Sequence, residues 1–291
     1  METFQDAGRP TVVITGASAG VGKAAARQWL DLGWQVIGTG RDAGRCAATK
    51  AELAHPHFTM LQADLSIMAN VLHLARQIAE LAPHINVLCN NAGGVVAQRR
   101  ITSEGLEETF ASNHLAPFLL TMLLWPMLVD HARIIATSSD GHKFCPAIAW
   151  VDLGLADGWQ SGRAYCQAKL GNVMFTRELA RRHDGRIIAH ALHPGNVDSN
   201  FATHCEPGMK AYMDSIRTKM ITPDDAARAL VWLGTSAEAG RINGRYFEGL
   251  VECEPAAAAS DDAAAARLWT VSETLIADYL SRDSATIRNS S

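Results

Sequence analysis

From Thr11 onward, short runs of β-branched and other apolar residues alternate with longer stretches whose apolar positions recur at helical spacing. A parallel sheet with helices on both faces produces this rhythm, because its strands are buried on two sides and its crossover helices on one. The predicted strands are Thr11 to Thr15, Gln35 to Gly38, Phe58 to Gln62, Asn86 to Asn90, Arg133 to Ser138, Arg186 to His193 and Arg245 to Phe247. Together they make one doubly wound, seven-stranded parallel α/β sheet. Among the helices, Lys23 to Leu32 sets Ala25, Trp29 and Leu32 on one stripe and stops at Gly33, and Gly162 to Arg182 is the longest. Two appendages complete a single domain over 1–291: a loop over about 200–222 that mixes Met209, Tyr212 and Met220 with polar residues and would close over an apolar ligand, and an alanine-rich helical extension over about 254–280.

Composition narrows the function classes. A net charge of -4 leaves no basic field for nucleic acid. The longest apolar run, Phe118 to Val129, is too short to span a bilayer and contains Pro126, so no transmembrane anchor is expected. The six cysteines, Cys46, Cys89, Cys145, Cys166, Cys205 and Cys253, show neither CxxC nor disulfide-like spacing and suit a reducing cytoplasm.

Thr15-Gly16-Ala17-Ser18-Ala19-Gly20-Val21-Gly22 follows the first strand and opens a helix, the setting in which a Rossmann-type fold holds a dinucleotide. Gly16 permits the tight turn, Gly20 lets the backbone approach a pyrophosphate, and Gly22 lets helix and strand pack closely, with the helix N-terminus facing the phosphates. Ser18, Ala19 and Val21 line the same turn. Its Gly16-to-Gly20 core is also a literal GxSxG, the nucleophile elbow of serine hydrolases, so a hydrolase using Ser18 is the rival reading. Only one strand precedes it, which leaves no earlier loop to donate an oxyanion-hole amide. At the tip of the second strand, Gly40 is followed by Arg41, whose guanidinium fork suits a 2′-phosphate. NADP(H) is therefore expected over NAD(H), with Asp42 the residue that would grip a free ribose hydroxyl instead.

Tyr165 and Lys169 are an i,i+4 pair on the longest predicted helix and share a face. A phenol titrates near 10 when unperturbed, too high for a base at neutral pH, and a neighbouring ammonium favours the phenolate. YxxxK alone is common, and its weight comes from its company.

That company resembles the short-chain dehydrogenase/reductase family from Thr11 to about Leu275: the glycine turn, Asp64-Leu65, Asn90-Asn91-Ala92-Gly93, Asn113, Ser138-Ser139, Tyr165 to Lys169, and His193-Pro194-Gly195. The resemblance implies that Ser139 hydrogen-bonds the substrate oxygen, with Ser138 as its fallback, and that Asn113 holds a water linking Lys169 to solvent. Asp64 and Leu65 would meet the adenine, and Asn90, Ala92 and Gly93 would line the adenosine side. Tyr165 and Lys169 would bind the nicotinamide ribose, and Pro194, Gly195, Val197 and Ser199 would reach the carboxamide end. It further implies hydride transfer on the 4-pro-S face and a homodimer or homotetramer. Within the family the chain is most similar to the retinol dehydrogenase-like branch, through Gly22-Lys23, Gly40-Arg41-Asp42, Asn113-His114-Leu115, Arg267-Leu268-Trp269 and the gap of 26 positions between Ser139 and Tyr165. Asp140, after the serine pair, departs from that pattern.

The expected activity is reversible oxidation of an alcohol on a hydrophobic small molecule, with a non-catalytic NADP(H)-sensing module as a further alternative. The eleven histidines form no HExxH, so no metal is expected. His114 and His142 are read as packed or capping imidazoles ahead of substrate contacts, Cys145 and Cys166 as small buried hydrophobes, and the stripe from Leu119 to Leu128 as a core or dimer-interface helix.

Overall fold

Alternation along the first strand, Thr11–Ile14 (β1), sends Val13 to one face of the sheet and Val12 and Ile14 to the other, each into a separate apolar cluster. The computed structural model describes residues 8–183, 185–198 and 207–288. After β1 come Gln35–Gly40 (β2), Phe58–Gln62 (β3), Ile85–Asn90 (β4), Leu128–Thr137 (β5), Ile187–His193 (β6), Arg245–Glu248 (β7) and Val251–Cys253 (β8). Their order is β3-β2-β1-β4-β5-β6-β7-β8. The first seven are parallel, and β8 returns antiparallel along β7.

The sheet thus has eight strands instead of the seven expected. Strand β8 is three residues long, largely exposed and without apolar alternation, and reaches β7 through a turn in which Gly249 takes a φ of +59°. Strand β5 also begins earlier than its sequence suggests: its pairing with β4 shifts register between Ile85 and Val87, and His131 adopts a φ of +61°, breaking the alternation.

The helices are Gly20–Asp31 (α1), Ala43–Leu53 (α2), Met68–Leu81 (α3), Glu108–Phe110 (α4), Ala116–Leu123 (α5), Ser161–Arg182 (α6), Pro207–Ser215 (α7), Pro223–Thr235 (α8) and Asp262–Arg288 (α9). On one face α1 and α8 pack through fully buried Trp29, whose indole would stand 2.7 Å from a Cβ at Gly234. On the other, α3, α5 and α6 share a cluster with Trp269 of α9. The Trp269 ring lies 4.9 Å from Phe118 and 5.9 Å from Phe175, with the Arg182 guanidinium 4.6 Å above it. The Leu119-to-Leu128 stripe is not one helix: Leu119, Leu120 and Leu123 are buried core of α5, the helix has ended before Pro126, and Leu128 opens β5.

Candidate active site

The strand order reverses between β1 and β4, and the carboxyl ends of β1, β4, β5 and β6 flank the crevice where open α/β sheets bind ligands. In the glycine turn Gly16 and Gly20 take φ values of +73° and +53°, a region costly for residues with a Cβ. A Cβ at Gly22 would collide with the Gly16 carbonyl oxygen and stand 2.7 Å from Asn91 Nδ2. Helix α1 starts with no side-chain cap and no acidic residue in its first turn, so its leading N–H groups remain available to an anion. This cradle fits a pyrophosphate.

Two motif residues without an expected role of their own hold the cradle to its neighbour. Thr15 Oγ1 accepts the backbone N–H groups of Asn91 and Ala92, both at 2.9 Å, and Asn91 Nδ2 donates to the Thr15 carbonyl at 2.9 Å. Ala92 backs directly onto Gly16, where a Cβ would stand 2.9 Å from Ala92 Cα. Ser18 lies over Gly40, whose missing side chain leaves it room, and no hydrogen bond joins its hydroxyl to a histidine among the described residues.

At the adenosine end, the Arg41 side chain is 56% exposed and its guanidinium stands 3.9 Å from Glu108 Oε1, while Arg100 approaches Oε2 of the same carboxylate at 3.8 Å. Asp42, the candidate for a ribose hydroxyl, is engaged as the cap of α2, its Oδ1 accepting Arg45 N–H at 2.8 Å. Asp64 Oδ1 turns back to Ser66, accepting its amide at 3.0 Å and its hydroxyl at 2.8 Å, and Leu65 beside it is buried. Asn90 is buried, donates to Thr121 Oγ1 at 3.0 Å and carries an Oδ1 without a partner among the described residues.

Lys169, only 2% exposed, donates from Nζ to the Thr137 carbonyl at 2.9 Å and stands 5.4 Å from the Tyr165 ring centre. Burial pulls its pKa from 10.5 down to about 8. A Cβ at Gly93 would lie 2.8 Å from Lys169 Nζ and 2.6 Å from Asn113 Oδ1, so both side chains converge on this glycine. Asn113 sits in a one-turn π-helix, Ala111–Leu115, inserted between α4 and α5. There its Nδ2 donates to the Thr109 carbonyl four residues back at 3.0 Å, and its Oδ1 accepts Gly94 N–H at 2.9 Å.

The serine pair divides as its alternation requires. Ser138 Oγ is buried and donates to the Lys169 carbonyl at 2.8 Å, fastening β5 to α6. Ser139 Oγ faces the loop, accepting Gly141 N–H at 3.0 Å and donating to Asp140 Oδ1 at 3.1 Å. A Cβ at Gly141 would touch Ser139 Oγ, Cys166 Sγ and Tyr165 Cε1 at 3.3, 3.4 and 3.6 Å, so Ser139 and Tyr165 flank one small space. A cavity of about 380 Å³ opens beside it, walled by Phe144, Cys145, Pro146, Arg163, Cys166 and Gln167 among others.

Beyond β6, Gly195 at a φ of +98° turns the chain so that Val197 bridges to Ile221. Pro194 opens that turn, while Ser199 and the start of the predicted 200–222 loop lie outside the described residues; from Pro207 on that stretch is not a loop throughout, since it holds α7. His114 and His142 are buried and hydrogen-bonded, to Ser272 Oγ at 3.0 Å and to the Ser139 carbonyl at 2.7 Å respectively. Among the described residues no group of three His, Cys, Asp or Glu side chains could hold a metal ion, and no helix is long and apolar enough to cross a membrane.

The crevice and its phosphate-sized turn define an α/β protein built for a nicotinamide dinucleotide. The chain belongs to the short chain dehydrogenase family, whose model matches residues 10–210. It is 33% identical to Retinol dehydrogenase 14 of Mus musculus, over 91% of this chain and 85% of the relative. A solved structure from Mycobacterium Paratuberculosis superposes with a TM-score of 0.73 at 29% identity, covering 92% of this chain and 96% of that one. The RhlG/NADP active-site complex of Pseudomonas aeruginosa does so at 0.66 and 26%, covering 85% and 97%. The protein is an oxidoreductase that interconverts alcohol and carbonyl groups, retinol dehydrogenase-like within its family.

Proposed function

We propose that this protein is an NADP(H)-preferring dehydrogenase/reductase acting on a hydrophobic alcohol or carbonyl compound, with Tyr165 as proton carrier. The observation that carries this reading is the meeting of Tyr165, Lys169, Ser139 and Asn113 at the carboxyl ends of the strands, next to the glycine turn. A bound nicotinamide supplies or takes the hydride. Tyr165 takes the proton of the alcohol hydroxyl in oxidation and returns it to the carbonyl oxygen in reduction. Lys169, 5.4 Å from the phenol ring, favours the phenolate while charged. Ser139 donates a hydrogen bond to the substrate oxygen as charge develops there. Asn113 fixes the Gly94 backbone with its side chain and holds the water through which Lys169 recovers its proton.

Arg41 supports the NADP(H) preference: it is exposed at the tip of β2, and 3.9 Å from Glu108 is too loose for a committed ion pair. The complex of RhlG with NADP, and the retinol named for a relative, point the same way for cofactor and for an apolar substrate. The cavity beside Cys166 would take the apolar body of the substrate. The test is NADPH consumption, followed by absorbance, with all-trans-retinal, decanal and a panel of apolar ketones, against NADH as comparison. Turnover that favours NADPH supports the reading, and absence of turnover with every carbonyl overturns it.

A further inference from the structure

His142 is completely buried, at 0% exposure, three positions beyond Ser139. Its Nε2 lies 3.0 Å from the backbone nitrogen of Ala256, a group that can only donate, so Nε2 carries no proton. The ring proton is therefore on Nδ1, which donates to the Ser139 carbonyl at 2.7 Å. Burial pushes the imidazole pKa down, which favours the neutral ring, although the hydrogen bond to the Ser139 carbonyl and, less strongly, Glu248 and Asp140 oppose the shift. Tyr246 of β7 packs edge-on at 4.8 Å, and its hydroxyl donates to Glu248, which pairs with Lys143. Both nitrogens and one ring face are thus committed, and no hydrogen-bonding capacity is left for a substrate.

What the imidazole joins is unusual for a packed histidine. One partner is the main chain of the serine assigned to the substrate oxygen. The other is the segment 114 positions away that leads into α9. Gly141 stands between Ser139 and His142 and contributes no side chain of its own to brace the loop. We propose that His142 is a positioning residue: the Ala256 amide fixes its Nδ1–H tautomer, and the Nδ1–H donor holds the Ser139 carbonyl and so sets where Ser139 Oγ points. This rests on the function proposed above.

Three variants separate the two contacts of the ring. His142→Asn keeps a donor near the Nδ1 position and loses the acceptor for Ala256. His142→Gln keeps an acceptor near Nε2 and loses the donor to Ser139. His142→Phe keeps the ring against Tyr246 and loses both. A misplacement of about 1 Å at a reacting group costs on the order of a hundred-fold, so kcat should fall about ten- to a hundred-fold in the Gln and Phe variants. NADPH affinity, read by fluorescence titration, should stay within about two-fold of wild type in all three, because no phosphate or ribose contact changes. The Asn variant should keep kcat within about three-fold while the Ala256 amide exchanges faster with deuterium, since only that end is released.

A folded His142→Phe protein with wild-type kcat overturns the proposal. If that variant does not fold, equal kcat losses in the Asn and Gln variants overturn it instead. An inactive wild type, or an active Tyr165→Phe protein, would refute the underlying function, a different outcome from an active Tyr165-dependent enzyme indifferent to His142.

Discussion

The hydroxyl of Ser139 donates to Asp140 Oδ1 at 3.1 Å while its oxygen accepts Gly141 N–H at 3.0 Å. A hydroxyl has one proton, and here it is held by the residue that departs from the family pattern. A substrate carbonyl accepts only, so in the role proposed above Ser139 must leave Asp140 before it can serve that oxygen. Asp140 is 45% exposed, with His193 Nε2 at 4.0 Å, so the bond to be broken is a weak one. Asp140→Ala should raise kcat/KM for carbonyl reduction by about three- to ten-fold. Initial rates at saturating NADPH decide it, and an unchanged or lower value in a folded variant contradicts this account of Asp140.

Burial of Lys169, assigned above to the proposed proton relay, costs stability. Its folded pKa of about 8 lies below the 10.5 of an unburied lysine, so between those values the unfolded chain binds a proton that the folded chain does not. Its contribution to stability therefore rises with pH through that window, and below about pH 8 its burial costs up to about 3 kcal/mol. Lys169→Met should abolish turnover yet stabilise the protein at pH 7 by about 1–3 kcal/mol, with the gain shrinking toward pH 10. The Thr137 carbonyl keeps the Asn172 Nδ2 donor at 3.3 Å, so the variant leaves no orphaned acceptor there. Thermal unfolding at pH 7 and pH 10 measures both quantities, and a loss of stability at pH 7 speaks against this view.

Arg41 should separate the two cofactors. Loss of a charge-assisted bond to a phosphate is worth about 1.5–3 kcal/mol, so Arg41→Ala should raise KM for NADPH about ten- to a hundred-fold. KM for NADH should stay within about two-fold, as no 2′-phosphate is present. Equal effects on both would assign Arg41 to the loop alone.

The cavity beside the Tyr165–Ser139 space makes Cys166 a measure of substrate size. Burial pushes its thiol up to about 11, so it is a filler at neutral pH and not a nucleophile. Cys166→Phe should raise KM for decanal about ten-fold or more and leave NADPH affinity unchanged, because the bulk falls in the cavity and the space beside Ser139 and Tyr165. Unaltered decanal kinetics would place the substrate elsewhere.

The parts of the fold legible in the sequence are those with strong period or fixed turn chemistry. The central strands show it in Val12, Val13 and Ile14, and the glycine turn in Gly16 and Gly20 at positive φ. Strand β8 was not legible, since three exposed residues carry no alternation, and β5 was obscured where His131 interrupts its pattern. At the site, motif residues stand out by their company: the YxxxK pair takes its weight from the glycine turn, Asn90 to Gly93 and the serine pair that accompany it. Thr15, Asn91 and His142 are different: each acts through backbone groups of a distant segment, and only the fold brings those segments together. The Asn113 π-turn is likewise invisible to helical periodicity, because Ala111–Leu115 mixes polar and apolar residues and runs without a break from α4 into α5.

The most direct measurement is single-turnover NADPH oxidation by Tyr165→Phe with a carbonyl that the wild type reduces, alongside NADPH binding by fluorescence. Retained binding with hydride transfer slowed by about a thousand-fold or more is the expected result, since the phenol carries the proton. Transfer at the wild-type rate would contradict it.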